Sequence, residues 1–233
     1  MREQRIHSRI ADLVIVRLDI QTLAARQEGG WLRPLRLTEL RVMTALRSDR
    51  PTGLDAIART AVLEPGNASR ALRSLATDGF VVREGTGYRR LAPARALAQR
   101  VISFEAKRSE PRRALSQARG HRPWADETYV AFDAFYAERF IALTEQYARA
   151  GVGLIELQSD KSRVRLRSRA RRRANRLEAA LMGEQALTGV LGLSGGDRPE
   201  RRLPHGPLLV DSLFFIAFDR EGGRPDRAGM HSL

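Results

Sequence analysis

The seven residues Val101-Ile-Ser-Phe-Glu-Ala-Lys107 have the apolar and β-branched character of a strand. In an extended chain Glu105 and Lys107 project from one face, while Ile102, Phe104 and Ala106 point to the other. A carboxylate and an ammonium side by side at the end of an apolar strand can hold a divalent cation and an attacking water, or simply form a half-exposed ion contact. A second apolar run, Ile10 to Leu18, is interrupted by Asp12 and reads as a buried central strand with one polar exception. If the two strands meet, Asp12, Glu105 and Lys107 form one cluster able to hold a divalent cation and a water.

Between these strands the hydrophobic period changes. A mostly polar segment ends at Gly29-Gly30, the first boundary. Leu37, Leu40, Val42, Met43 and Leu46 then fit an amphipathic helix capped by Thr38 and broken by Pro51-Thr-Gly53. A short helix from Leu54 to Thr60 leads through a turn into a longer one from Asn67 to Asp78. Its apolar side is Ala71, Leu72 and Leu75, which leaves Ser69, Arg70 and Arg73 toward water. Gly79 closes that helix. Phe80 to Arg83, a Gly85-Thr-Gly87 tip and Tyr88 to Leu91 read as a β-hairpin.

Charge points to polyanions. Lys plus Arg number 41 against 27 Asp plus Glu in 233 residues, a net charge of +14 and a pI near 11.4. Basicity alone is a weak pointer, since arginine also fills surface positions without function. The absence of cysteine excludes disulfide frameworks, thiolate zinc sites and cysteine nucleophiles, and makes a cytoplasmic protein the simplest inference. The four histidines, at 7, 121, 205 and 231, lack metal-ligand spacing. No run of about 18 apolar residues suggests a membrane span.

The remainder alternates strands with helices, the pattern of an α/β fold. Pro93 to Arg100 reads as a linking helix. Pro111 opens a basic helix to about His121 that carries Arg112, Arg113, Gln117 and Arg119. Strands are expected at Glu127–Phe132, Leu154–Leu157 and, as an edge, Val164–Arg167, with a helix from Phe135 to Ala150. Arg169 opens a basic helix reaching Met182. From Ser194 the chain is rich in Gly, Pro and Arg, and Leu213 to Ile216 is either a docking strand or a sticky segment.

These segments carry two resemblances. Leu37 to Leu91, with Leu-Ala-Thr-Asp-Gly-Phe-Val from Leu75 to Val81, resembles the winged-helix domain of MarR-type regulators. That resemblance implies Ser69, Arg70 and Arg73 facing the major groove of DNA and Arg83, Arg89 and Arg90 near phosphates. The strand with Asp12, the Glu105-x-Lys107 strand, the helix with Gln117 and the Tyr129 strand resemble the PD-(D/E)xK, or restriction-endonuclease-like, nuclease superfamily. That likeness implies an α/β fold with a mixed sheet flanked by helices, interrupted by an inserted winged helix-turn-helix. It further implies Asp12 and Glu105 as Mg²⁺ ligands, Lys107 beside the attacking water, and Gln117 near that water or the DNA, with Arg112 and Arg113 also on DNA.

The expected division is 1–18 with 101–182 for the nuclease-like part, 34–92 for the winged helix-turn-helix, and 194–233 for a poorly structured extension. Three functions stay open: a metal-dependent deoxyribonuclease, a DNA-binding regulator on an inactive nuclease-like scaffold, and a protein-interaction module. MarR-like modules generally dimerise, which keeps a homodimer in view.

Overall fold

A computed structural model describes residues 11–92, 95–171 and 176–190, together with the backbone of 213–217. The chain divides into two compact units, one of residues 1–17, 100–176 and 213–233, the other of residues 18–99 and 177–212.

The first unit is a mixed α/β sheet flanked by helices. Its strands are β1 (Leu13–Leu18), β5 (Ala98–Lys107), β6 (Glu127–Asp133), β7 (Gly153–Leu157), β8 (Ser162–Leu166) and β9 (Leu213–Ala217), in the order β8-β7-β6-β5-β1-β9. Strands β5, β6 and β7 run parallel, with Lys107 level with Phe132, and β8 and β9 pair antiparallel at the two edges. The Asp12 amide donates to the Phe104 carbonyl at 3.1 Å and the Asp19 amide to the Leu97 carbonyl at 2.7 Å, so β1 and β5 run antiparallel. Helix α5 (Pro111–His121) joins β5 to β6, and α6 (Ala137–Ile141) and α7 (Thr144–Ala150) precede β7. The core between sheet and helices holds Ala114, Ala118, Val130, Phe132, Phe140, Tyr147 and Leu154, all buried.

The second unit contains α1 (Ile20–Glu28), α2 (Leu37–Ala45), α3 (Leu54–Ala61), α4 (Pro65–Thr77) and α8 (Arg176–Val190). Most of α8 belongs to it, and it also has a three-stranded sheet β2-β4-β3 built from Thr52–Gly53, Gly87–Arg90 and Val81–Glu84. Helix, short helix, turn, longer helix and hairpin succeed one another in the order expected from the sequence, and the Pro51–Gly53 break additionally forms the short strand β2. Gly79 at φ 73° and Gly85 at φ 59° supply the left-handed residues that end α4 and turn the hairpin. Leu40, Ile57, Leu72, Leu75 and Phe80 form the core, and Ala180, Leu177 and Leu181 of α8 pack on it.

An ion-pair network locks the entry to α2. Arg33 donates to both oxygens of Glu39 at 2.8 and 2.9 Å and to Asp78 at 2.6 Å, while the Arg36 amide and the Ser74 hydroxyl also donate to Glu39. Burial pushes the Glu39 carboxyl up, but these hydrogen bonds and the Arg33 charge outweigh it and hold it below its ordinary value. A carboxyl lowered on folding stabilises above its unfolded pKa and loses that contribution as pH falls through the folded one. Acid melts of the full chain should therefore show a loss as pH falls below the ordinary glutamate range, and Glu39→Gln should make that loss smaller.

Several boundaries differ from those expected in the sequence. The polar segment before Gly29 is a helix, α1, capped by Asp19, whose carboxylate accepts from the Gln21 and Thr22 amides. Pro93 and Ala94 lie outside the described residues, and the rest of the expected linking helix gives way to strand, because β5 begins at Ala98. Helix α2 starts at Leu37 with Arg36, not Thr38, at its cap; α4 starts at Pro65, two residues before Asn67, with proline at the first turn where its missing N–H costs nothing. The stretch Phe135 to Ala150 breaks into a 3₁₀ turn (Ala134–Tyr136), α6 and α7. No helix begins at Arg169: α8 begins at Arg176 and runs past Met182 to Val190. In the C-terminal extension Leu213–Ala217 is a paired strand, so the docking-strand alternative holds there; the remainder of 194–233 lies outside the described residues.

Candidate functional site

The three residues singled out in the sequence meet at one end of the sheet. Val101, Ser103 and Glu105 alternate inward along β5. This pattern places the Glu105 side chain, fully buried, on the face covered by α5. Two residues on, Lys107 Nζ lies 2.7 Å from Glu105 Oε1 and 4.0 Å from Asp12 Oδ2. Two oxygens so close to one nitrogen are themselves no further apart than those two contacts laid end to end. The Ala106 amide donates to Asp12 Oδ2 at 2.8 Å, which fixes the aspartate across 94 residues of sequence. Asp12 keeps 23 % of its side chain exposed, so the cluster opens to water on that side.

Helix α5 closes the cluster from above and contributes a residue that the sequence does not single out. His121 is fully buried, its Nε2 4.0 Å from Glu105 Oε2 and its ring 5.4 Å from that of Trp124. Gln117 lies one turn earlier on the helix, and its Oε1 is buried with no hydrogen-bond partner among the described residues. Ala114, Gln117, Ala118 and His121 have the i, i+3, i+4, i+7 spacing of one helical face. That spacing is the signal for His121, and it differs from the metal-ligand spacing by which histidines usually announce themselves.

No family model, curated protein or solved structure matches this chain. The chemistry must therefore be read from the donors themselves. Among the described residues no group of three or more His, Cys, Asp and Glu is placed to hold a metal ion, and the carboxylates that could hold one at this cluster are Asp12 and Glu105. Two carboxylates suit Mg²⁺, which is commonly held by one or two protein carboxylates, substrate phosphate and retained waters. The buried Gln117 oxygen adds an acceptor on the helix that covers Glu105. The residues present fit that ion.

The basic residues divide into two sets. Arg73 and Arg83 are exposed, Ser69 is half-buried beside them in sequence, and Arg70, though exposed, is tied to Asn67 Oδ1 at 2.6 Å. Arg89 and Arg90, expected near phosphates, are engaged within the fold. Arg89 pairs with Glu84 at 2.6 Å. Arg90 turns inward to the Met43 carbonyl at 3.1 Å, near the end of α2 where carbonyls attract cations. Burial lowers the pKa of its guanidinium. Arg112 and Arg113 are exposed on α5, Arg113 3.3 Å from Glu110, and Arg112 lines a shallow groove with Ser116, Arg119 and Gln146. Among the described residues no helix is long and apolar enough to cross a membrane.

Proposed function

We propose that this protein is a Mg²⁺-dependent deoxyribonuclease of the PD-(D/E)xK kind, its inserted unit a MarR-like winged helix-turn-helix that grips duplex DNA. The observation that carries the reading is the convergence of Asp12, Glu105 and Lys107 from two antiparallel strands 94 residues apart. Chance Glu-x-Lys pairs are common; a second carboxylate pinned beside one by a backbone amide is not.

Asp12 and Glu105 would hold the cation, which when bound supplies a Lewis acid for a phosphate oxygen and makes water easier to deprotonate. The residues themselves do the remaining work. The buried Glu105 fixes one ligand direction, and the Ala106 amide holds Asp12 in the orientation that faces it. Lys107 carries its ammonium where negative charge would grow on phosphorus, and the 9 % exposure of its side chain keeps that interaction in a low dielectric. Gln117 presents an acceptor on the covering helix. Ser69, Arg73 and Arg83 would meet DNA, with Arg70 released from Asn67 on binding. The close Lys107–Glu105 contact also favours a second reading, in which the ammonium replaces the cation and the chain binds DNA without cutting it.

Cleavage separates the two. Wild-type protein with Mg²⁺ should hydrolyse DNA, and Asp12→Asn should lose that activity while retaining affinity measured in EDTA. Binding in both should weaken roughly a thousandfold between 50 and 200 mM salt if about six phosphates are neutralised. Salt-sensitive binding without cleavage under any divalent cation would leave the regulator reading standing and remove the nuclease.

A further inference from the structure

Phe135 is 84 % exposed on a mount that is not loose. Its amide donates to Asp133 Oδ1 at 2.9 Å, which caps the 3₁₀ turn after β6. Its ring meets Tyr136 edge-on, centroids 4.9 Å apart at 83°, and the Arg139 guanidinium lies 5.5 Å from the Tyr136 ring. Tyr136 in turn packs on the core formed by Ala114, Phe132 and Phe140. A fixed aromatic ring left in water is unexplained by the fold beneath it.

Its place in the sheet supplies a reason. Strands β5 and β6 are parallel with Lys107 level with Phe132, so Phe135 comes three residues beyond the level of Lys107, at the end of the sheet that carries Asp12 and Glu105. One strand spacing and three residues of chain put its Cα within about 15 Å of that of Lys107. We infer that Phe135 is a stacking platform for an unpaired nucleobase, so that the substrate of the proposed nuclease carries a single-stranded segment next to the bond that is cut. The inference rests on that nuclease reading and names its substrate class.

Bases inside a duplex already have both faces stacked, whereas an unpaired base offers a π-face that any aromatic ring can take regardless of sequence. Arg139 beside the pair of rings adds a cation for the nucleic acid backbone. A second copy of the chain is a poorer occupant. One ring falls far short of the roughly 1,000 Å² that a stable interface needs, and two chains of charge +14 repel each other.

The test measures binding of the full chain in EDTA to a single-stranded oligonucleotide containing 2-aminopurine and to a duplex of the same sequence. Phe135→Ala should weaken single-strand binding roughly 5- to 150-fold, the factor that about 1–3 kcal/mol of stacking represents, and leave duplex binding and melting temperature unchanged. Phe135→Trp should restore the affinity and quench the 2-aminopurine. Unchanged single-strand affinity in Phe135→Ala, or an equal loss on the duplex, overturns the inference. So does a wild-type dimer in sedimentation that Phe135→Ala dissociates without altering single-strand binding. Binding in EDTA does not depend on cleavage, so failure to cut DNA when Mg²⁺ is supplied would refute the nuclease alone, and the Phe135 result would refute or support the stacking platform alone.

Discussion

Lys107→Met should sharply lower cation-dependent cleavage and, in EDTA, lower the stability of the sheet unit by about 3–5 kcal/mol, the cost of removing one partner from a buried ion pair. Glu105 is fully buried with Lys107 Nζ 2.7 Å away, and the next cationic candidate, His121, stands at 4.0 Å. Methionine keeps the length and apolar stem of lysine, so the loss reports charge rather than volume. Mg²⁺ should then raise the melting temperature of the variant more than that of wild-type protein, because a cation between Asp12 and Glu105 replaces what was removed. Cleavage should fall by roughly 10²- to 10³-fold or more, the usual effect of deleting one group aimed at developing negative charge. A variant that melts like wild type and ignores Mg²⁺ would mean that the cluster is no cation pocket.

Glu184→Ala is expected to destabilise the other unit by a similar amount. Arg26 Nη1 and Nη2 donate to the two oxygens of Glu184 at 3.0 and 2.7 Å, and the Leu35 amide donates to the same carboxylate at 2.9 Å. Side chains on both sides of the pair are only 3 % and 2 % exposed. Alanine leaves a guanidinium and an amide buried without their acceptor, about 3–5 kcal/mol and on the order of 10 °C in melting temperature. The double replacement Arg26→Met with Glu184→Leu should recover the guanidinium's share of that loss, since matched apolar groups dispense with its desolvation cost, while the Leu35 amide still lacks its acceptor. Thermal melts of the three variants decide it. If the single variant melts with wild type, α8 is not fastened to this unit through Glu184.

The same pair shows why part of the fold is illegible in the sequence. Helix α1 buries Thr22, Leu23 and Arg26, a pattern with more polar than apolar members, and no periodicity count marks an arginine as interior when its partner is 158 residues away. The extent of α8 is hidden for the complementary reason. By contrast, α5 is legible to the residue from Pro111 to His121, because a proline start and a regular apolar face are local signals. Of Phe140, Ile141, Leu143 and Tyr147, whose spacing suggests a single helix from Phe135 to Ala150, Phe140 and Tyr147 are buried but Ile141 is 44 % exposed and Leu143 half-buried, because an Asp133-capped turn and a second helix start at Thr144 split the stretch. Asp12 is legible because one acid within an apolar run is conspicuous. His121 is not, because its significance depends on standing over Glu105.

The hydrogen bond from the Asp19 amide to the Leu97 carbonyl has a consequence for evolvability. The chain departs at Asp19 and returns at Leu97, adjacent points, so everything between them is a detour with its doorway already closed. Length and sequence inside such a detour can drift with little strain passed to the carboxylates at the far end of the strands, because closing a longer excursion costs only logarithmically more. The residues inside the excursion that answer to the rest of the chain are those that meet α8, Arg26 and Leu35 among them.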